Sequence, residues 1–365
     1  MISIRNATSR WLTSIPVFHT KEKTDSPEIL DISQGDELDD LDGLKNRIVE
    51  GLFQASPGKR QIPIEVMYQG DGADLYATAA SSPGYYLHQA ERQIIKTHAK
   101  EIASYIADRT DIIELGAGSL EKTQVLLQAV AQAPQIVSGI DYYALDINRE
   151  ALVESLASLS PLQGIKYRGL FGTYNNGLHH IASLRLRRDV KSVPRVFMWL
   201  GSGIENMPPE TAVEMVKSIT NVMVDGDMML VGMDGWASSD ASIDGAYECL
   251  EKLVLNTLKN VNEILGESMF DKSKFVYSTQ VNRLGGRNEC CSMASEAIDL
   301  NCGGKSVRME QGERILVVPS YKYTDNQVTD TVKSTGCLEA VQRFGTPSDA
   351  DVQYGVWLWR KVTHQ

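Results

Sequence analysis

"DIIELGAGSLEKT", residues 111 to 123, decides the fold. An apolar run carrying Glu114 makes a Gly-Ala-Gly turn and runs into the helical pattern "EKTQVLLQAVAQA". Gly116 and Gly118 permit the tight turn and close backbone approach that a nucleotide-like ligand needs. A plain strand-to-helix turn has the same local spelling, so the flanking sequence must choose.

Working outward, helices and buried strands alternate from residue 91. "ERQIIKTHAKEIASYIA" reads as helix and "DYYALDI" as strand. "NREALVESLASL" is helix, "IKYRGLFG" and "RVFMWLGS" are strands, "PPETAVEMVKSITNVM" is helix and "DMMLVGMDG" strand. This alternation predicts an α/β fold with a parallel, doubly wound sheet. The regularity stops near Asp234. "GAYECLEKLVLNTLKNVNEILG" reads as one long helix, followed by strand-like "KFVYSTQVNRL", "ECCSMASEAIDL" and "RILVVPSYKY", an inserted α+β cap. The tail, "CLEAVQRF" and "VQYGVWLWRK", supplies two strands that rejoin the sheet. Upstream, Leu41, Leu44, Ile48 and Leu52 have helical spacing, "YQGDGADLYATAASSPGYY" is loop or short helix, and acid-rich residues 20–45 form a surface arm or linker. The expected division is an arm over 1–40, a substrate-binding cap from 41–84 and 238–316, and a core from 85–237 and 317–365.

Ligand choice rests on two positions. A dinucleotide turn wants a third glycine for the pyrophosphate, but that position is Glu121, which would repel it. S-adenosylmethionine carries no phosphate, and its sulfonium and ammonium tolerate an acid. Asp146, ending "YYALDI", can accept both ribose hydroxyls, or it can cap the helix that follows. Its distance along the chain from the turn exceeds the roughly 20 residues usual for dinucleotides. The pair favours an S-adenosylmethionine-dependent methyltransferase over an NAD-dependent oxidoreductase.

Composition narrows the remaining classes. The chain has 365 residues and a formal net charge of −11 with no basic block, which argues against nucleic-acid binding. Five cysteines without a CxxC, and histidines without ligand spacing, argue against disulfides and a metal site and fit a reducing cytoplasm. The N-terminal "MISIRNATSRWLTSIPVFHTKEK" lacks the apolar core of a secretory signal, although its scarcity of acids leaves a transit peptide as an alternative. No run is long enough to span a bilayer. A cytoplasmic monomer acting on a small molecule is expected.

"ELGAGSLEKT", "YYALDINREAL", "GTYNNGLHHI", "WLGSGIENMPPETA", "LVGMDG" and "PSYKYT" resemble, in order, the motifs of the histidine-specific methyltransferase family. That family includes the ergothioneine-pathway enzyme that trimethylates the histidine α-amine, and the fungal dimethylallyltryptophan N-methyltransferases. The resemblance covers roughly residues 60 to 362. It implies a class I, Rossmann-like methyltransferase with an inserted cap and S-adenosyl-L-methionine as cofactor.

The resemblance also distributes roles. It puts Tyr85 against the cofactor and Tyr68 over the substrate, although either can be a half-buried aromatic. Gly116, Gly118, Lys122, Asp146 and Gly201 match cofactor positions, and Thr173-Tyr174 stands where the family has an Asp-Phe pair beside adenine. Asn206 matches a residue that hydrogen-bonds the substrate's carboxylate or amine, with a helix N-cap before "PPETA" as its alternative. Glu205 replaces a usual glycine and Met207 an aromatic. Tyr247 matches a tyrosine that binds the carboxylate and amine. Glu289 matches a glutamate that receives a side-chain nitrogen, and Cys291 stands at a serine position. Cys290 and Cys291 can equally be plain strand residues.

These residues imply in-line methyl transfer to an α-amine, driven by proximity and alignment. Tyr68, Asn206 and Tyr247 form the catalytic set, and the last two clamp the carboxylate. Cys291 and the altered loop point to tryptophan or a related indole amino acid rather than histidine. A non-catalytic protein that keeps the fold is the remaining alternative.

Overall fold

The computed structural model describes residues 28–33, 41–187 and 193–363. Its strands run in chain order β1 Glu28–Asp31, β2 Asp111–Leu115, β3 Ile140–Asp146, β4 Ile165–Phe171, β5 Arg195–Trp199 and β6 Met228–Asp234. Then come β7 Phe275–Asn282, β8 Arg287–Ala294, β9 Ile298–Cys302, β10 Lys305–Met309, β11 Arg314–Tyr321, β12 Leu338–Gly345 and β13 Tyr354–Lys361. The main sheet has the order β1-β4-β3-β2-β5-β6-β13-β12. Pairing is parallel from β1 to β6 and antiparallel at β13 and β12. This is the doubly wound arrangement expected from the alternation of elements, and it agrees with the class I fold that the resemblance implies.

Helices cover both faces of this sheet because its strands are apolar on both sides. The helices are α1 Leu41–Val49, α2 Gly72–Ala80, α3 Tyr86–Ser104, α4 Glu121–Ala131, α5 Arg149–Ser158, α6 Tyr174–Arg187, α7 Pro209–Val222, α8 Asp240–Tyr247, α9 Glu251–Leu265 and α10 Asp325–Ser334. Period-2 alternation splits each strand between two cores. Ile112, Tyr142, Val196, Met198 and Leu230 pack with Ile94 of α3, Leu126 of α4 and Leu152 of α5. Their neighbours Ile113, Tyr143, Phe197, Trp199 and Val231 pack with Leu178 of α6, Val216 of α7 and Val328 of α10.

Most of the expected arm, residues 1–27 and 34–40, lies outside the described residues. Glu28–Asp31, assigned to it above, is instead an edge strand paired in parallel with Arg168–Phe171. The open edge of β4 accepts this short extended segment, and Ile29 turns inward onto the core.

The cap is built on an antiparallel sheet of order β11-β8-β7, with the β9–β10 hairpin beside it. Strand β11 runs from Arg314 through Tyr321, so the cap extends past the expected boundary at residue 316. "ECCSMASEAIDL" divides between β8 and β9. The long helix is also interrupted, by a 3₁₀ turn at Glu248–Leu250 between α8 and α9. The Tyr247 carbonyl accepts the Tyr277 hydroxyl at 2.5 Å at this break, a bond that competes with continuation of the helical ladder. Among the described residues no helix is long and apolar enough to cross a membrane.

Candidate active site

At the carboxyl end of β2 the backbone enters the left-handed region at Gly116 (φ +69°) and Gly118 (φ +55°). The Gly116 and Ala117 amides donate to the Leu145 carbonyl at 2.9 and 3.1 Å, which pins the turn to β3. A side chain at Gly116 would meet the Tyr174 hydroxyl at 2.9 Å, whereas one at Gly118 would project into open space. That open glycine backbone suits close approach by a ligand. Asp146 lies beside it: Oδ2 accepts the Gly118 amide at 3.1 Å and Oδ1 the Asn148 amide at 2.9 Å. Asp146 is not the cap of α5, because Asn148 fills that role and accepts from Ala151 N. Burial raises the Asp146 carboxyl above its usual range, against the backbone donors that favour its anion. The donor set and open turn fit the adenosyl group of S-adenosylmethionine.

Thr173 and Tyr174 stand at the start of α6, with the Tyr174 hydroxyl against Gly116. Thr173 Oγ1 accepts from Asn176 N at 3.2 Å and caps the start of α6. The Tyr174 ring packs edge-on against Trp199, with centroids 5.6 Å apart, and its hydroxyl accepts Trp199 Nε1 at 3.3 Å under the glycine turn.

Lys122, in the first turn of α4, is ion-paired with Glu91 of α3, a carboxylate with no solvent exposure. Burial alone would depress the lysine, but Glu91 holds it above its ordinary value. Glu91 also accepts the Gly201 amide at 2.8 and 3.0 Å and the Tyr354 hydroxyl at 2.9 Å. It thereby ties the glycine turn to the loop after β5. That loop is strained: Ser202 is a non-glycine residue at φ +61°.

A cavity lies between this loop and the cap. Tyr68, Tyr76, Tyr85 and Tyr247 line it together with Gly201, Ser202 and Asn206. The rings pack as two edge-to-face pairs, Tyr68 on Tyr76 at 5.5 Å and Tyr85 on Tyr247 at 5.9 Å. Asn206 lies beside the Tyr68 side chain and does not cap α7, which has no side-chain cap. The turn carrying Tyr68 is anchored by Asn260 Nδ2, which donates to the Val66 and Gln69 carbonyls at 2.9 Å. Met67, Leu87, Leu250, Val318 and Ser320 complete the lining.

Glu289 and Cys291 do not reach this cavity, which corrects their expected roles. In β8, Asn288 pairs with Ser320 and Cys290 with Val318, so the cavity-facing side of the cap sheet carries residues 288 and 290. Glu289 and Cys291 lie on the opposite side. There Glu289 accepts from Arg287 at 2.8 Å and Asn282 at 2.9 Å, and faces Arg314 at 3.8 Å. Burial would raise its carboxyl, but the Asn282 amide and then the two arginines hold it below the usual range. Val318 and Ser320 of β11 occupy the place expected for the side-chain-reading pair.

Glu91, Tyr76, Val318, Ser320 and Lys322 received no role from sequence. Two signals were available. Glu91 sits on the apolar face of a predicted helix, and Lys322 and Ser320 lie inside the motif "PSYKYT". Lys322 is fully buried and donates to Asp234, which also accepts the Tyr86 hydroxyl at 2.7 Å.

A family described as "Histidine-specific methyltransferase, SAM-dependent" matches residues 44–361. The chain is 31% identical to ergothioneine biosynthesis protein 1 of Neurospora crassa over 93% of its own length, but spans 37% of that relative. It is 28% identical to the N-methyltransferase imqF of Aspergillus flavus, covering 88% of this chain and 85% of that one. It is 31% identical to the L-tryptophan methyltransferase trpM of Psilocybe serbica, covering 85% of this chain and 91% of that one. With a match over most of its length, the chain belongs to the histidine-specific methyltransferase family, enzymes that use S-adenosylmethionine.

Proposed function

We propose that this enzyme methylates the α-amine of an aromatic L-amino acid, with tryptophan or a related indole amino acid preferred. S-adenosylmethionine supplies an activated methyl group on a cationic sulfonium. Gly116, Gly118 and Asp146 hold its adenosyl part, with Lys122 and Gly201 beside them, Tyr174 against the turn and Tyr85 on the cavity side of Gly201. Asn206 and Tyr247 fix the amino acid's carboxylate and amine, and Tyr68 closes over them. Aromatic faces around the amine favour cationic groups there. Burial disfavours a second positive charge beside the sulfonium, which helps to expose the amine's lone pair.

One observation carries the substrate preference. The cap wall is apolar at Val318, Met67 and Leu250, and apart from the Tyr68, Tyr76 and Tyr247 hydroxyls its polar group is Ser320. An imidazole has two nitrogens to satisfy, whereas an indole has one N–H and a large apolar surface. The similarity to a tryptophan methyltransferase agrees with this reading, and a histidine α-N-methyltransferase is the alternative.

Tryptophan, histidine and tryptamine, tested with the cofactor and followed by mass spectrometry, decide the matter. Tryptophan is expected to turn over fastest. Tryptamine should be at least about tenfold worse, because it leaves the clamp's buried polar groups unpaired. A preference for histidine would overturn the substrate reading, and equal turnover of tryptamine would overturn the clamp.

A further inference from the structure

Behind the cavity wall lies a line of buried polar groups whose hydrogens can be counted. Lys322 has three N–H donors, and all three are placed. One meets Asp234 Oδ2, one Tyr247 Oη at 2.6 Å and one Ser320 Oγ at 3.1 Å. Tyr247 Oη and Ser320 Oγ are 2.5 Å apart, so a single hydrogen lies between them. Ser320 Oγ is also 3.5 Å from Glu205 Oε2, at the long limit of a hydrogen bond. The other Glu205 oxygen accepts the Asp234 amide. Glu205 is wholly buried and does not line the cavity.

Each hydroxyl already accepts from Lys322 and has one hydrogen to give, which leaves the line two orientations. If Glu205 is ionised, Ser320 donates to it, Tyr247 donates to Ser320, and a Tyr247 lone pair faces the cavity. If Glu205 holds a proton and donates it to Ser320, both bonds reverse and the Tyr247 hydrogen faces the cavity.

We infer that Glu205 is the terminal proton acceptor for the substrate's α-ammonium, reached through Tyr247 and Ser320. This rests on the α-amine reading above. An ammonium N–H bond breaks and its proton forms an O–H bond on Tyr247. The Tyr247 proton passes to Ser320, and the Ser320 proton to Glu205. The electron pair stays on nitrogen, both hydroxyls are restored, and an ammonium and a carboxylate become a neutral amine and a carboxylic acid. Neutralising two charges is favourable in a site that strips both of water. The 3.5 Å step suits a site without substrate, since relay bonds tighten when the complex forms.

The surroundings suit this role. Burial raises the Glu205 carboxyl well above its usual range, Lys322 of the β11 end opposes that rise, and Asp234 of β6 adds to it. The phenols facing it are Tyr76 of α2, Tyr85 and Tyr86 around the start of α3, Tyr247 of α8, Tyr323 after β11 and Tyr354 of β13. All six are raised by burial and stay neutral. An acceptor raised toward the basicity of an amine is a better match for its proton than an ordinary carboxylate.

Glu205→Gln keeps an oxygen for the Asp234 amide and cannot take up a proton, so it separates the relay from packing. Turnover of the best aromatic amino acid is measured from about pH 6.5 to pH 10 for wild type, Glu205→Gln and Ser320→Ala. Binding of S-adenosylhomocysteine by calorimetry is the check that each variant is folded. Both variants are expected to bind it within about twofold of wild type and to lose at least about tenfold in kcat near neutral pH. The loss should shrink as pH approaches the amine's own pKa, and Glu205→Asp should restore part of it. Infrared difference spectra should also show a protonated-carboxyl band appearing when the amino acid binds to the wild type, and none in Glu205→Gln. A loss that is constant across pH, no loss, or the same infrared difference spectrum in both proteins overturns the relay alone. Failure of the wild type to methylate any amino acid overturns the amine reading, and the relay with it.

Discussion

At the residue scale, Asp146 shows how one carboxylate can be legible and still ambiguous. Its place at the end of a predicted strand suited both a ribose contact and a helix cap. In the folded chain Asn148 caps α5 and Asp146 turns to Gly118. Asp146→Ala is therefore expected to weaken S-adenosylmethionine binding by at least about tenfold, since a charged hydrogen bond is worth roughly 1.5–3 kcal/mol. Calorimetry measures it, and unchanged affinity in a folded variant would remove Asp146 from the site. Asn206 had the same ambiguity, and α7 turns out to carry no side-chain cap. Both residues shared the limitation that a capping residue and a ligand-binding residue are spelled alike.

At the element scale, the cap sheet shows where reading by motif failed. "GRNECC" and "PSYKYT" lie on adjacent strands, and a strand turns alternate residues to opposite sides. Assignment along one strand could not say which side met the cavity. The pairing of Asn288 with Ser320 decides it and turns Glu289 and Cys291 away. Cys291→Ser should accordingly leave the ratio of tryptophan to histidine efficiency unchanged. Val318→Glu should move that ratio toward histidine by about tenfold, because a carboxylate at the cavity wall partners an imidazole nitrogen and is left unpaired by an indole. Steady-state kinetics on both substrates tests the pair. A shift with Cys291→Ser and none with Val318→Glu would reverse the facing assigned to the strands. Helix existence, by contrast, was legible from periodicity. The break between α8 and α9 was not, because Tyr277, the partner of the Tyr247 carbonyl, is 30 residues away in sequence.

At the scale of the whole molecule, Glu114 couples the nucleotide-binding strand to its neighbours and to pH. It is buried in β2, where Thr123 of α4 donates to it at 2.8 Å and Tyr142 of β3 at 2.5 Å. Burial raises its carboxyl from 4.5 to about 7, with these two hydrogen bonds opposing the rise. Between those values the folded chain holds a proton that the unfolded chain has released. Glu114's contribution to stability is therefore complete below about pH 4.5 and is lost as pH rises through about 7. Urea unfolding should show Glu114→Gln gaining on the wild type by up to about 3 kcal/mol between about pH 5 and pH 8. A constant difference would mean that Glu114 keeps its ordinary pKa. The sequence by itself determined the sheet, its helices, the glycine turn and the family, because these depend on local periodicity and on short contiguous motifs. The tertiary structure alone decided the edge strand at Glu28–Asp31, the pairing of Glu91 with Lys122, and the meeting of Val318, Ser320, Lys322 and Glu205 behind Tyr247. Those contacts join residues far apart in the chain, and which of them face one another depends on register, strand side and burial.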